Sequence, residues 1–271
     1  MDDIYSRVEH SRTADEVIQQ IESLILEGVF RVGDRLPGER ELARRFEVSR
    51  PILRDALKRL ETRGLIVTRR GGGTQVADII GQVFSDPMLE LVATHRKPAS
   101  DYLEYRRELE SIAAEFAARR ATAEDRVMLD DIMHRMKDVH AGGDFDAEAA
   151  IDVEFHNAVG ECAHNVILLH TLRSCYRLLS DGVFYNRSLI YSLPGARDCL
   201  LRQHLAIGEA IAAGRPEAAR EAAREHIDFV ERAMVEAERS DDWKRVSRLR
   251  MMQRTAADGR PQKPAKDGDA T

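Results

Sequence analysis

The sequence predicts a mainly α protein, an N-terminal winged helix-turn-helix joined to a larger all-helical bundle. Three observations predict it. The first 76 residues alternate short helix-periodic runs with turn residues and end in a glycine-centred pair of β-capable runs. From Asp101 to about Glu238 apolar residues recur at helical spacing almost throughout, with no second strand-rich stretch. Charge is divided along the chain: residues 35–76 carry 11 basic against 5 acidic residues, whereas 77–238 carry 18 against 29. A compact basic patch on an acidic protein, of net charge −6, suits a phosphate-rich partner. Charge alone serves a solvated surface equally well.

Each N-terminal element has its own punctuation. Val17, Ile21, Leu24 and Ile25 predict an amphipathic helix over 13–28, which Gly28 ends. Phe30 to Asp34 reads as a turn. Glu39 to Phe46 reads as a short helix with Leu42, Ala43 and Phe46 inward. Glu47-Val48 leaves room only for a tight turn. Ser49 is a suitable N-cap, and Pro51 fits the first turn of the next helix, where a missing N–H costs nothing. That helix runs to Arg63, with Leu53, Ala56, Leu57 and Leu60 on one face and Gly64 closing it. Leu65 to Arg70 and Thr74 to Val76, around Gly71-Gly72-Gly73, predict a hairpin, so that the domain spans 1–78.

Residues 79–98, with Ser85-Asp86-Pro87 and Lys97-Pro98, read as a linker. Over 99–238, breaks at Thr122, Gly142-Gly143, Asn165, Ser192 to Gly195 and Gly214 to Pro216 divide the pattern into six or seven helices. Residues 239–271 turn polar and read as a disordered tail.

Composition excludes several classes. No run of 18 apolar residues exists, so no membrane span is expected. Met1 to Tyr5 is acidic and lacks the apolar core of a secretory signal. Three cysteines, Cys162, Cys175 and Cys199, form no CxxC pair and suit helix packing in a reducing cytoplasm.

The helix from Ser49 places Ser49, Arg50 and Arg54 in its first turns, where a recognition helix meets base edges and phosphates. Arginine forks onto guanine O6 and N7. Arg40 starts the preceding helix, and Arg69-Arg70-Gly71-Gly72 forms a basic tip suited to phosphate or minor groove. These runs, Leu36-Pro37-Gly38-Glu39-Arg40-Glu41-Leu42-Ala43, Val48-Ser49-Arg50-Pro51, Arg54-Asp55-Ala56-Leu57 and Gly71 to Thr74, resemble the GntR family of regulators. The resemblance implies DNA contacts at Arg40, Ser49, Arg50, Arg54 and Gly71, with Arg35 and Arg70 as further candidates. It also implies a homodimer on a palindromic double-stranded operator.

In the helical region, Asp152 and His156 are four apart and share a helix face. His204 and His226 follow in later helices. Three imidazoles and a carboxylate suit a borderline divalent metal, although this spacing is not a tight ligand motif and serves capping or surface histidines as well. Asp152-Val153-Glu154-Phe155-His156 with His204 and His226 resembles the FadR-like branch of the family with its FCD sensor domain. That resemblance implies a divalent ion (Zn(II), with Mn(II) or Ni(II) as alternatives) on Asp152, His156, His204 and His226, and an effector-binding arginine at Arg106. Metal plus guanidinium would receive a small carboxylate. Leu24 to Gly28, Gly71 to Thr74, Phe84 to Pro87 and Ala163 to His170 resemble the subgroup that represses the pyruvate dehydrogenase complex, which implies pyruvate. The complete Asp/His/His/His set is more typical of relatives that respond to lactate and other organic acids.

An enzyme is the competing class, since such a set can activate water. No general base, nucleophile motif or phosphate loop accompanies it, and an enzyme leaves the winged helix unexplained. We therefore expect a repressor controlled by a small organic acid, pyruvate first with lactate or another hydroxy acid as the alternative, and no catalysis.

Overall fold

The computed structural model describes residues 13–69, 73–79, 96–180 and 190–257. Among these it has nine helices and one two-stranded hairpin, and its buried residues fall into two separate cores.

The first core belongs to α1 (Ala14–Leu26), α2 (Glu39–Arg45), α3 (Arg50–Thr62) and the hairpin β1 (Ile66–Arg69) and β2 (Gly73–Val76). Glu16 accepts from the Thr13 backbone N–H at 3.1 Å and satisfies one orphan donor at the start of α1. Val17, Ile18, Ile21 and Ile25 form its buried stripe and pack on α3, which buries Leu53, Ala56, Leu57 and Leu60. Burying such side chains supplies about 1.5–3 kcal/mol each against exposure. The α2–α3 turn is tight because Glu47 adopts a left-handed backbone, φ 52°, while Val48 N–H reaches Ala43 O at 3.0 Å. In the hairpin Ile66 pairs with Val76 and Arg69 with Gly73. The chain at 33–36 completes the sheet edge: Leu36 N–H donates to Thr74 O and Val76 N–H to Asp34 O, both at 2.9 Å.

The second core belongs to α4 (Arg96–Arg120), α5 (Ala123–Gly142), α6 (Phe145–Cys162), α7 (Val166–Ser180), α8 (Ala196–Ala212) and α9 (Pro216–Ala257). The breaks read from sequence coincide with its turns: Thr122 caps α5, Gly143 ends it with a left-handed φ of 72°, and Gly195 precedes α8. α4 is the central helix, packed on α6, α7, α8 and α9. Ala113, Ala114, Ala117 and Ala118 on α4 meet Ala219, Ala223 and Ile227 of α9, small side chains that let two backbones approach. Along the rim Glu115–Arg220, Glu108–Arg224 and Arg107–Asp228 make an antiparallel ladder, 2.7–3.0 Å. Gly208 serves α8 similarly, since a Cβ there would collide with Met133 of α5.

Two expectations are corrected. The polar stretch from 239 does not begin a disordered tail: α9 continues to Ala257. Between Pro216 and Gly259 no glycine or proline interrupts it. Trp243, Leu249, Met251 and Met252 there are exposed, so the loss of apolar pattern marks a helix leaving the bundle rather than the end of helix. The bundle's first helix starts at Arg96, inside the span read as linker, with Pro98 tolerated in its first turn. Residues 80–95, and the remainder of the tail from 258, lie outside the described residues.

The two cores touch where α1 ends. Gly28, at φ 78°, lies so close to α7 that a Cβ there would stand 2.8 Å from Leu169 Cδ2. His170 Nε2 donates to Leu26 O at 2.8 Å, and Glu161 accepts from Arg31 at 2.9 Å and from Arg173 at 2.7 Å.

Candidate nucleic-acid interface and metal centre

The first turns of α3 carry the charge expected of a reading helix. Ser49 is the N-cap by backbone geometry, its hydroxyl spent on no capping bond, and Arg50 follows it, exposed. The helix N-terminus adds partial positive charge. Arg54 Nε donates to Glu39 Oε2 of α2 at 2.8 Å across an exposed pair. Such a pair contributes little and gives way readily to a phosphate or base. Arg40 is exposed on α2, beside Glu39. Arg35 stands at the base of the wing, its guanidinium packed over Gly73, where a Cβ would lie 2.9 Å from Nε. Arg70 and Gly71 lie outside the described residues. Glu39, the partner of Arg54, was not singled out from sequence, because its role depends on how α2 crosses α3.

The four residues singled out in the sensor region meet in the bundle. Asp152 and His156 come from α6, His204 from α8 and His226 from α9, all buried. His156 Nε2 and His204 Nε2 are 3.2 Å apart, and Asp152 Oδ1 lies 3.2 Å from His204 Nε2. One ligand atom from each of the three imidazoles lies within 4.8 Å of the others. The outward nitrogens are occupied: His156 Nδ1 bonds Glu110 Oε2 at 2.8 Å, and His226 Nδ1 faces Gln203 Oε1 at 3.3 Å. With Nδ1 donating, the inward Nε2 of a neutral ring presents a lone pair. Burial first, then neighbouring His204 and His156, hold His226 well below the ordinary imidazole value, so it stays neutral. Converging imidazole lone pairs and a carboxylate, with no inward donor required, fit a divalent cation.

Arg106 is not among the converging groups. It is buried on α4, one residue removed: it pairs with Glu110 and lies 5.5 Å over the Tyr176 ring. Burial alone would raise the Glu110 carboxyl, but Arg106 and then His156 outweigh it and hold the acid down to about 2. Burial likewise opposes the charge on Arg106, and Glu110 keeps it protonated. Glu110 was not singled out from sequence. The signal was there in its i+4 offset from Arg106. Gln203 carried no signal at all.

On the other side, a cavity of about 30 Å³, room for roughly one water, reaches Asp152 and His204. Arg197, His140 and Glu148 also line it, with Arg197 bound to Glu148 and to His140 O. The thiols of Cys162 and Cys175 are buried, which pushes them up to about 12 and 11, so both remain protonated packing groups.

Comparison with known proteins places both halves. Residues 13–76 match the model for bacterial regulatory proteins of the gntR family, and residues 101–229 match the FCD domain. A putative L-lactate dehydrogenase operon regulatory protein of Escherichia coli K12 is 35% identical over 227 residues, 82% of this chain and 86% of that one. The Glc operon transcriptional activator of the same organism is 32% identical, over 82% of this chain and 89% of that one. A solved structure, Streptococcus agalactiae GntR, is 28% identical over 81% of this chain and 99% of its own, with a TM-score of 0.48.

Proposed function

The chain belongs to the GntR family of bacterial regulators with an FCD domain, a DNA-binding transcriptional regulator rather than an enzyme, and from that premise we propose that a small 2-hydroxy acid, with L-lactate foremost, controls its operator binding. The observation that carries this reading is the buried cluster of Asp152, His156, His204 and His226. Such a set holds a divalent ion, Zn(II) or else Mn(II) or Ni(II), and a bound ion supplies Lewis acidity toward a carboxylate and its neighbouring oxygen. The bundle's own residues do the rest. Glu110 and Gln203 orient the imidazoles, the apolar core excludes competing water, and Arg106 provides the buried guanidinium nearest the cluster. The relative named for an L-lactate dehydrogenase operon supports lactate. Pyruvate, the 2-oxo counterpart suggested by the local sequence matches, is the second reading.

On the DNA side the protein acts in the cytoplasm as a homodimeric repressor. Each α3 reads half of a palindrome through Ser49, Arg50 and Arg54, with Arg40, Arg35, Arg70 and Gly71 on the flanking backbone. Effector binding in the bundle shifts the helices on which the winged domain rests, at Glu161, His170 and Arg173, and the two half-sites are no longer met together.

The test is a thermal-shift titration of metal-loaded protein with L-lactate, D-lactate, glycolate and pyruvate, followed by anisotropy on a labelled operator. A ligand at a hundred times its Kd stabilises by about 2.7 kcal/mol. L-lactate should raise the melting temperature and release the operator. A shift with pyruvate alone would replace lactate by the 2-oxo acid, and undiminished operator binding at saturating effector would overturn release.

A further inference from the structure

We infer that Glu110 is the positioning residue of the metal centre, a single buried carboxylate shared between His156 and Arg106 that makes metal affinity and effector affinity depend on one another. The inference rests on the metal and effector reading above and deepens it. One oxygen, Oε2, accepts from His156 Nδ1 at 2.8 Å, and the other, Oε1, accepts from Arg106 Nε. All three side chains are buried, so water cannot substitute for a lost partner.

Two consequences follow. An acceptor on Nδ1 fixes the tautomer of His156, directs its Nε2 lone pair toward Asp152 and His204, and raises the basicity of the ring as a ligand. The same carboxylate also neutralises Arg106, the cation that an incoming carboxylate would seek. An effector anion that takes the guanidinium competes with Glu110 for Arg106. Glu110 then gives more of its charge to the His156 Nδ1–H, and His156 becomes the stronger ligand. Metal and anion thus strengthen each other, and by linkage the factor is the same in both directions. The i+4 spacing of Arg106 and Glu110 on α4, with His156 facing them from α6, is what allows one carboxylate to reach both.

The experiment is chelator competition for Co(II) on the full chain, with and without L-lactate, in wild type, Glu110→Gln and the exposed control Glu104→Gln. Glu110→Gln is expected to lose metal affinity about 10–100-fold, to shift the visible Co(II) spectrum, and to lose the dependence of metal affinity on L-lactate. Glu104→Gln should match wild type in all three. Glu110→Gln that is folded by circular dichroism and binds Co(II) with wild-type affinity and spectrum overturns the inference. Should the unpaired Arg106 prevent folding, the double variant Arg106→Met/Glu110→Gln removes the stranded charge and must show the same loss of metal affinity. Wild type that takes up no Co(II) would instead overturn the metal reading, and this inference with it. Wild type whose melting temperature rises with L-lactate but which binds Co(II) equally with and without it would overturn the coupling.

Discussion

The Nε2 atoms of His156 and His204 lie 3.2 Å apart in the interior of the bundle, although 48 residues separate them in the chain. Two N–H groups cannot face each other at that distance, so at least one imidazole presents a lone pair there. With Asp152 Oδ1 also 3.2 Å from His204 Nε2, the cluster is one that could hold a divalent ion.

Removing one of those nitrogens should therefore abolish the site without abolishing the fold. His204→Ala is expected to bind no Zn(II), Mn(II) or Ni(II) by elemental analysis. Metal at a hundred times its Kd should stabilise wild type by about 2.7 kcal/mol and leave His204→Ala unmoved. A chelator should lower the wild-type melting temperature to that of the variant. Equal metal content in both proteins would dismiss the site.

In the winged domain, Arg50 is exposed in the first turn of α3. Arg50→Ala is expected to cost about 1–3 kcal/mol of operator affinity and to relax preference at one base pair. The melting temperature should hardly change. Arg54→Ala should weaken operator binding too, while Glu39→Gln releases Arg54 from its 2.8 Å ion pair and tightens binding to unrelated DNA. Titration of a randomised operator library would report all three.

Gly28 joins a left-handed backbone, φ 78°, to a contact with α7 that leaves no room for a Cβ. Gly28→Ala is expected to destabilise by about 1–3 kcal/mol, from backbone strain and displaced Leu169. The contacts of Arg31 and Arg173 with Glu161 flank the same place, so protease sensitivity between the domains should rise. Unchanged proteolysis and melting would show that the contact does not hold in solution.

Asp125 accepts from Thr122 N–H at 2.8 Å and from His164 Nε2 at 2.7 Å. Burial would raise its carboxyl, but the bonds from Thr122 and His164 outweigh burial and hold it below the ordinary carboxylate value. A carboxyl held lower in the folded state than in the unfolded chain stabilises above the unfolded value, about 3.9, and that stability is lost as pH falls through the folded value. Asp125→Asn should thus cost about 0.3–1 kcal/mol at pH 7, and the difference should shrink in urea melts as the pH is taken below about 3.9. A difference that persisted in acid would assign the cost to packing instead.

Much of the fold was legible because its signals are local. Gly28, Ser49 with Pro51, Gly64, Thr122 and Gly143 mark element ends through φ/ψ preference and capping, which a residue exerts on its own few neighbours. The stripe of Leu53, Ala56, Leu57 and Leu60, and the placing of Ser49, Arg50 and Arg54 on one helix, follow from a period of 3.6. So does the shared face of Asp152 and His156. The same reasoning misjudged residues 239–257, because low apolar content reports the absence of burial and not the absence of helix. Other features depended on packing between distant segments. That Glu39 pairs with Arg54 depends on how α2 crosses α3. That His204 and His226 join Asp152 and His156, and that Glu110 stands between His156 and Arg106, depends on α4, α6, α8 and α9 closing round one core. No spacing along the chain encodes those distances. They arise when buried apolar faces choose their partners, and the polar groups carried on those faces are brought together as a consequence.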